Sequence, residues 1–304
     1  MPVSKWYKGN LHTHTTESDG DETPEKVCKW FEDHGYDFLV LSDHNHLTLL
    51  DYGESGLSRL ILIPGEEISA NAKHSSLPIH IGAIGINRIL EPATGEDIVS
   101  TLQMNIDSIR EAGGISCINH PNFRWAFDHT HMSQVEGANM FEIFNGSRGC
   151  NNNGGPGKPS TTEMWDALLS KNKHILGAAT DDSHNYHDFH PAMHNPGRGW
   201  IMVRSESSEE SAIIEAMKIG EFYSSSGVEL SKLETDQKGI HVKVLEEDDF
   251  MYRIRFIGSG GRTLRETGAH DATYEFQGDE GYVRVEIVDS DGAKAWVQPV
   301  FVES

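Results

Sequence analysis

Cysteine is scarce: Cys28, Cys117 and Cys150 are the only three in 304 residues. They are odd in number, far apart, and lack the close pairing of a zinc knuckle or redox motif. A disulfide framework is therefore not expected, and a reducing compartment is. Long apolar runs are also missing. No stretch of 18 apolar residues could cross a membrane, and the opening MPVSKWYKGN holds no apolar segment of signal-peptide length. A soluble, cytoplasmic protein is the expectation. Positive charge is short as well, with 25 Lys and Arg against 47 Asp and Glu and a formal net charge of -22. Such a surface repels phosphate backbones and anionic lipid, so neither long nucleic acid nor a membrane is an expected partner, and a small-molecule substrate is. Nor does the chain contain a G-x-S-x-G elbow, a Walker loop or a G-x-G-x-x-G turn after a strand. The obvious serine-hydrolase, nucleoside-triphosphatase and dinucleotide readings fall away.

What the chain does have is ordinary globular composition, 37% hydrophobic and 9% aromatic, and many histidines. Of 17 histidines, only His241 and His270 lie beyond residue 200. The part before that point alternates short apolar runs such as FLVLSDHN, RLILIPGEEIS, PIHIGAIGI, ISCINHP, MFEIFNG and HILGAATDDSH with helical patterns. This alternation predicts βα units around a parallel sheet or barrel, an α/β fold. Thr23 before Pro24 predicts a helix start, Gly35 its end, and Gly113 the end of a helix starting near Glu96. From about Val228 the pattern turns to β alternation without helices, as in IHVKV, YRIRFIG and YVRVEIVD. Two domains are expected, a barrel over 1–227 and a small antiparallel β-sandwich over 228–304. The Gly- and Asn-rich segment Asn145–Thr161 is either a surface loop or a lid beside a site.

Metal-ligating side chains recur at the ends of the apolar runs. His12 and His14, two residues apart, lie on one face of an extended chain and can reach one ion. Asp43, His44 and His46 end the next run, Glu66 and Glu67 the one after. His80, His120, and the trio Asp181, Asp182 and His184 follow. In α/β barrels the C-terminal strand ends surround the active site, so ligands placed there converge. His nitrogen mixed with carboxylate oxygen and no thiolate suits Zn, Mn, Fe or Co, and disfavours Ca or a structural Cys-type zinc site. The candidates His12, His14, Asp19, His44, Glu67, His80, His120, Asp182 and His184 exceed one ion's needs. Two or three ions are expected, with a bridging carboxylate, for which Glu67 is the choice. Arg124 and Arg148, each in a loop after a strand, are candidate anion clamps. His187, His190 and His194 follow the last ligand and read as either a polar surface loop or substrate contacts. His34, His129, His131 and His174 have no ligand spacing.

The motifs LHTHTTESDG, LSDHN, IPGEEI, the histidine of PIHIGAIG, INHP, FEIFNG and DDSH, in this order, resemble those of the polymerase and histidinol phosphatase (PHP) superfamily of metal-dependent phosphoesterases. The likeness spans about the first 225 residues. The opening WYKGNLHTHTTESDG and the tail further resemble the CehA/McbA-like branch, which includes carbaryl and aryl methylcarbamate hydrolases. The resemblance implies a distorted seven-stranded βα barrel with a trinuclear site of Mn, Zn or Fe. By matched position it implies His12, His14, Glu67 and Asp182 on a first ion, Glu67, His80 and His120 on a second, and Asp19, His44 and His184 on a third. It departs from the family at Asp19, where histidine is frequent. Asp182 is preferred to Asp181 because DSH matches the family's spacing, and His80 to His74 because it opens an apolar strand.

The implied chemistry is hydrolysis by a metal-bound hydroxide, since coordination lowers the pKa of water to about 7. His12, Glu67 and Asp182 are the residues expected to be indispensable. A small phosphate ester of nucleotide or sugar-phosphate class is the leading substrate. A carbamate or carboxylic ester at the same centre is the alternative, and a non-enzymatic binding module is a third reading.

Overall fold

The computed structural model describes residues 4–51, 56–247 and 249–302. Strand β1 (Lys5–Asn10) leads to helix α1 (Pro24–Asp33), which buries Val27, Cys28 and Phe31. Their helical spacing makes one apolar face, packed on Tyr36, Leu39 and Leu41. Pro24 takes the first turn, where its missing N–H is no loss, and Gly35, at φ 79°, ends the helix. The order continues through β2 (Phe38–Leu39), β3 (Ile61–Leu62), β4 (Gly65–Asn71), β5 (Pro78–Ile84), α2 (Ile98–Glu111), β6 (Ile115–Ile118), the one-turn α3 (His129–Met132), β7 (Met140–Asn145), α4 (Thr161–Leu169) and β8 (Leu176–Thr180). Strand β9 (Trp200–Ser205), α5 (Glu210–Lys218) and β10 (Phe222–Ser225) complete this part. Asp97 caps α2 reciprocally with Ser100, and Ser160 caps α4 with Glu163.

Strands β4 to β8 form one sheet in chain order, in which β4, β5 and β6 pair antiparallel and β6, β7 and β8 parallel. The uniformly parallel expectation fails at β4 and β5 because residues 72–77 between them are too few for a crossover helix. Strand β1 runs parallel to β2, and β2 to β3. Two isolated parallel bridges, Thr13 with Ser183 and His44 with Glu67, tie the β1 and β2 ends to the ends of β8 and β4. They bring the ends that carry the ligand candidates to one place.

The tail consists of β11 (Leu230–Thr235), β12 (Gly239–Val244), β13 (Tyr252–Gly258), β14 (Arg262–Thr267), β15 (Asp271–Glu275), β16 (Tyr282–Asp289) and β17 (Lys294–Phe301). Strands β11, β12 and β15 form a three-stranded sheet. Its inward Ile240, Val242 and Val244 share a core with Ile254, Phe256, Val285 and Ile287 of the facing layer. That layer does not stop at residue 227. It runs β14-β13-β16-β17-β10-β9-β1-β2-β3, so β17 pairs with β10 and the tail continues the sheet of the first part. A buried ion pair adds a second tie: Arg284 on β16 grips Asp166 on α4 through two 2.7 Å bonds.

Candidate metal centre

His12 and His14 follow the end of β1 rather than lying within its ladder. Asn10 turns the chain there, its Oδ1 accepting the His12 N–H at 2.9 Å while its Nδ2 donates to Asp181 at 2.6 Å. Thr13 between them is held by Ser42 Oγ, and His14 N–H donates to the Ser183 carbonyl at 2.9 Å. Asp43 does not join the cluster. It accepts from the Thr15 N–H, Thr15 Oγ1, Ser18 Oγ and Thr48 Oγ1 at 2.6–2.8 Å, and so braces the loop that carries His14.

Four side chains meet at one point. His12 Nε2 lies 3.1 Å from His14 Nε2 and 3.2 Å from both Glu67 Oε1 and Asp182 Oδ1. His14 Nε2 lies 3.3 Å from Asp182 Oδ1 and 3.5 Å from Glu67 Oε2. A tetrahedral ion with ligands at about 2.0–2.1 Å sets ligand-to-ligand edges of roughly 3.3–3.4 Å, so the His12, His14 and Asp182 edges of 3.1–3.3 Å fit one, while Glu67 turns one oxygen to His12 and the other to His14. Burial opposes charge on His12, but Asp182, Glu67 and Glu142 outweigh it and raise its pKa well above the ordinary value. Glu67 and Asp182 are likewise held well below the carboxylate range against their burial, chiefly by His12. His14 is pushed down to about 4 by burial, with the neighbouring His184 and His12 acting the same way.

Glu67 extends the cluster. Its Oε1 lies 3.2 Å from His120 Nε2 and 3.3 Å from His80 Nδ1, while His44 Nδ1 is 2.9 Å from its Oε2. Close as these neighbours are, Glu67 Oε2 and His80 Nδ1 are buried without a partner in hydrogen-bond geometry among the described residues, as fits atoms placed to ligate an ion. Asp19 makes a more open group: its oxygens lie 3.3 Å from His184 Nε2 and 3.6 Å from both His44 Nε2 and His14 Nδ1, and its side chain is 56% exposed. Burial opposes the charged form of both groups, yet the imidazoles of His184 and His44 hold Asp19 below the carboxylate range, and Asp19 and Glu67 lift His44 to about 10. All nine candidates are thus in one connected cluster, with His12, His14, His44 and Glu67 each belonging to two groups.

Beside it opens a cavity of about 510 Å³ bordered by Phe123, Arg148, Cys150 and His194 as well as by the cluster. Arg148 borders the cavity, whereas Arg124 is exposed outside it, on a turn where its φ is 52°. Asp181 and Asp182 part company: the Asp181 carboxylate accepts the N–H groups of Gly197, Arg198 and Gly199 at 2.6–2.9 Å, and Asp182, at φ 51°, turns into the cluster. Glu66 likewise faces away and accepts the Leu90 N–H at 2.7 Å. His194 is drawn in from its polar loop. Its Nδ1 lies 2.6 Å from Ser147 Oγ, which donates to the Asp182 carbonyl at 2.7 Å. The hydroxyl proton is spent on that carbonyl, so His194 Nδ1 is the donor to Ser147. His187 reaches the Asp21 carbonyl at 2.9 Å and Glu22 at 3.5 Å, the His190 ring accepts the Ala192 N–H, and His34 and His174 stack on Trp30 and Phe301. The reading of residues by type passed over Glu142. It is a charged side chain in the apolar run MFEIFN, fully buried, and it contacts His12 Nδ1 at 2.7 Å.

No family model matches the chain, and no curated protein does. Among solved structures it is similar to a two-domain protein containing a predicted PHP-like metal-dependent phosphoesterase from Bacteroides vulgatus, with TM-score 0.53 and 16% identity over 97% of this chain and 95% of that one. It is also similar to a candidate metal-dependent phosphoesterase from Bifidobacterium adolescentis, with TM-score 0.41 and 15% identity over 58% of this chain and 87% of that one. A lesion-specific endonuclease from Pyrococcus furiosus matches with TM-score 0.42 and 13% identity over 70% of this chain and 56% of that one. The latter two are too distant to carry weight. The first extends nearly end to end, and the likeness is one of fold.

Proposed function

We propose that the chain is a metal-dependent hydrolase of the PHP superfamily that cleaves a small phosphate ester of the nucleotide or sugar-phosphate class. The observation that carries this reading is the convergence of His12, His14, Glu67 and Asp182 with spacings of 3.1–3.5 Å at the wall of a cavity. His12, His14, Glu67 and Asp182 would hold one divalent ion, Glu67 with His80 and His120 a second, and Asp19 with His44 and His184 a third, of Mn, Zn or Fe. Bound there, such ions supply Lewis acidity toward phosphoryl oxygens and lower the pKa of a water nucleophile. Arg148, the cation at the cavity, would take the anionic group, its planar fork suiting phosphate. His194, held by Ser147, would contact the leaving side of the substrate. A cavity of about 510 Å³ suits a small molecule.

The ring of β1, β2 and β4 to β8, joined by the bridges at Thr13 and His44, supports the seven-stranded barrel reading. We take residues 228–304 as a β-sandwich unit that buttresses this barrel through β17 and Arg284. The test is turnover with added Mn or Zn of p-nitrophenyl phosphate, its bis-ester, AMP and aryl methylcarbamates. Metal-dependent release from a phosphate ester is expected, and carbamate turnover without phosphate turnover would overturn the substrate class.

A further inference from the structure

Glu142 has four hydrogen-bond partners from four parts of the chain. Its Oε1 lies 2.7 Å from His12 Nδ1 and accepts from Thr180 Oγ1 at 2.5 Å. Its Oε2 accepts the His120 backbone N–H at 2.7 Å and Asn145 Nδ2 at 2.9 Å. Asn145 Nδ2 also lies 3.1 Å from Asp182 Oδ2. His120 has φ 24°, a conformation uncommon for a residue with a Cβ, and its N–H bond to Glu142 is one of the contacts that hold it there. Glu142 lies outside the candidate ligand groups. It sits at a buried point of β7, and its charged contact is the His12 imidazole, itself a candidate ligand.

Resting on the proposed metal centre, we infer that Glu142 is a positioning residue that prepares two ion positions at once. Accepting the His12 Nδ1 proton fixes the tautomer that turns the Nε2 lone pair toward His14 and Asp182. Accepting the His120 N–H fixes the backbone from which that imidazole reaches Glu67. One carboxylate therefore couples the first and second positions, whereas the third, built from Asp19, His44 and His184, has no contact with it. Loss of Glu142 should weaken the two buried positions together and spare the outer one.

The test compares metal content after equilibrium dialysis against graded free Zn, together with apparent melting temperature with and without Zn, in the full chain and in Glu142→Gln. The expected result is a loss of about 10–100-fold in affinity at the buried positions, the range known for partners of metal ligands, with the outer position unchanged. The variant's metal-free melting temperature should fall, because the Gln amide sets a donor against two of the four donors that Glu142 accepts from, and the Zn-induced rise should shrink as well. A purely structural role predicts the lowered metal-free melting temperature with Zn affinity intact at both buried positions, and that result overturns the inference. If Glu142→Gln does not fold, the isosteric Thr180→Val removes one bond to the same oxygen and should lower buried-site affinity by about 3–10-fold; unchanged affinity there also overturns it. An unmodified chain that binds no Zn contradicts the metal centre itself, an outcome distinct from equal Zn binding by both forms.

Discussion

Asp166→Ala should cut the strongest tie between the tail and the barrel. Arg284 is 2% exposed and holds Asp166 by two 2.7 Å bonds, with Tyr282 Oη donating to the same carboxylate at 2.7 Å. No second carboxylate is free to take over, since nearby Glu286 is engaged by Arg255. Removing one partner of a buried pair strands the other and costs about 3–5 kcal/mol. Unfolding entropy is about 0.6 kcal/mol/K for a chain of this length, so the melting temperature should fall by roughly 5–8 °C. Differential scanning calorimetry measures this directly. Asp166→Leu combined with Arg284→Met should recover most of the loss, because a packed apolar pair has no charge to leave unpaired. A fall of less than about 2 °C in the single variant would refute the reasoning, as would a double variant no more stable than the single.

Other expectations concern the cluster and its supports. Asp182→Asn should reduce metal content by elemental analysis, whereas Asp181→Asn should leave it intact and cost about 2–4 kcal/mol in urea unfolding, because three backbone N–H groups lose a charged acceptor; metal loss in both would undo the distinction. His12→Ala should abolish hydrolysis and reduce metal content, while His34→Ala, stacked on Trp30, should do neither; equal losses would sink the assignment. Glu32 makes a pH prediction. Burial opposes its ionised form, yet the N–H groups of Ser58 and Arg59 and the Lys29 ammonium hold its carboxyl down to about 2 against an ordinary 4.5. Its stabilising effect is complete above pH 4.5 and is lost as pH falls toward 2, so Glu32→Gln should flatten that limb of an acid-unfolding curve. An unchanged limb would contradict it.

The side chains that the fold gathers into one cluster were legible because their signal is local. His12 and His14 flank one threonine, and later candidates recur at the ends of apolar runs, where a barrel gathers them. The helices were legible for the same reason, since Pro24, Gly35 and the α2 cap act within a few residues. Pairing was not. Nothing in YVRVEIVD or KAWVQPVFV says that β17 will lie beside β10, because registry between distant strands is decided by which inward faces match. Glu142 was missed because a glutamate in an apolar strand looks like an interruption until four donors surround it; its one sequence cue is a charge at an inward position of a buried run. Asp181 and Asp182 are adjacent and chemically identical, and only the backbone at Asp182, at φ 51°, sends their side chains to different work. Arg124 and Arg148 shared a rationale, and loop geometry alone puts one at the cavity and the other in solvent.

The central claim is that nine side chains from six chain segments hold divalent ions beside a substrate cavity. Anomalous diffraction from crystals grown with Mn, and separately with Zn, tests it most directly. The account predicts peaks bounded by His12, His14 and Asp182 and by His80 and His120, with Glu67 between them. Crystals that show no anomalous density there at millimolar metal, with the four donors of the first position still in contact with one another, would contradict it.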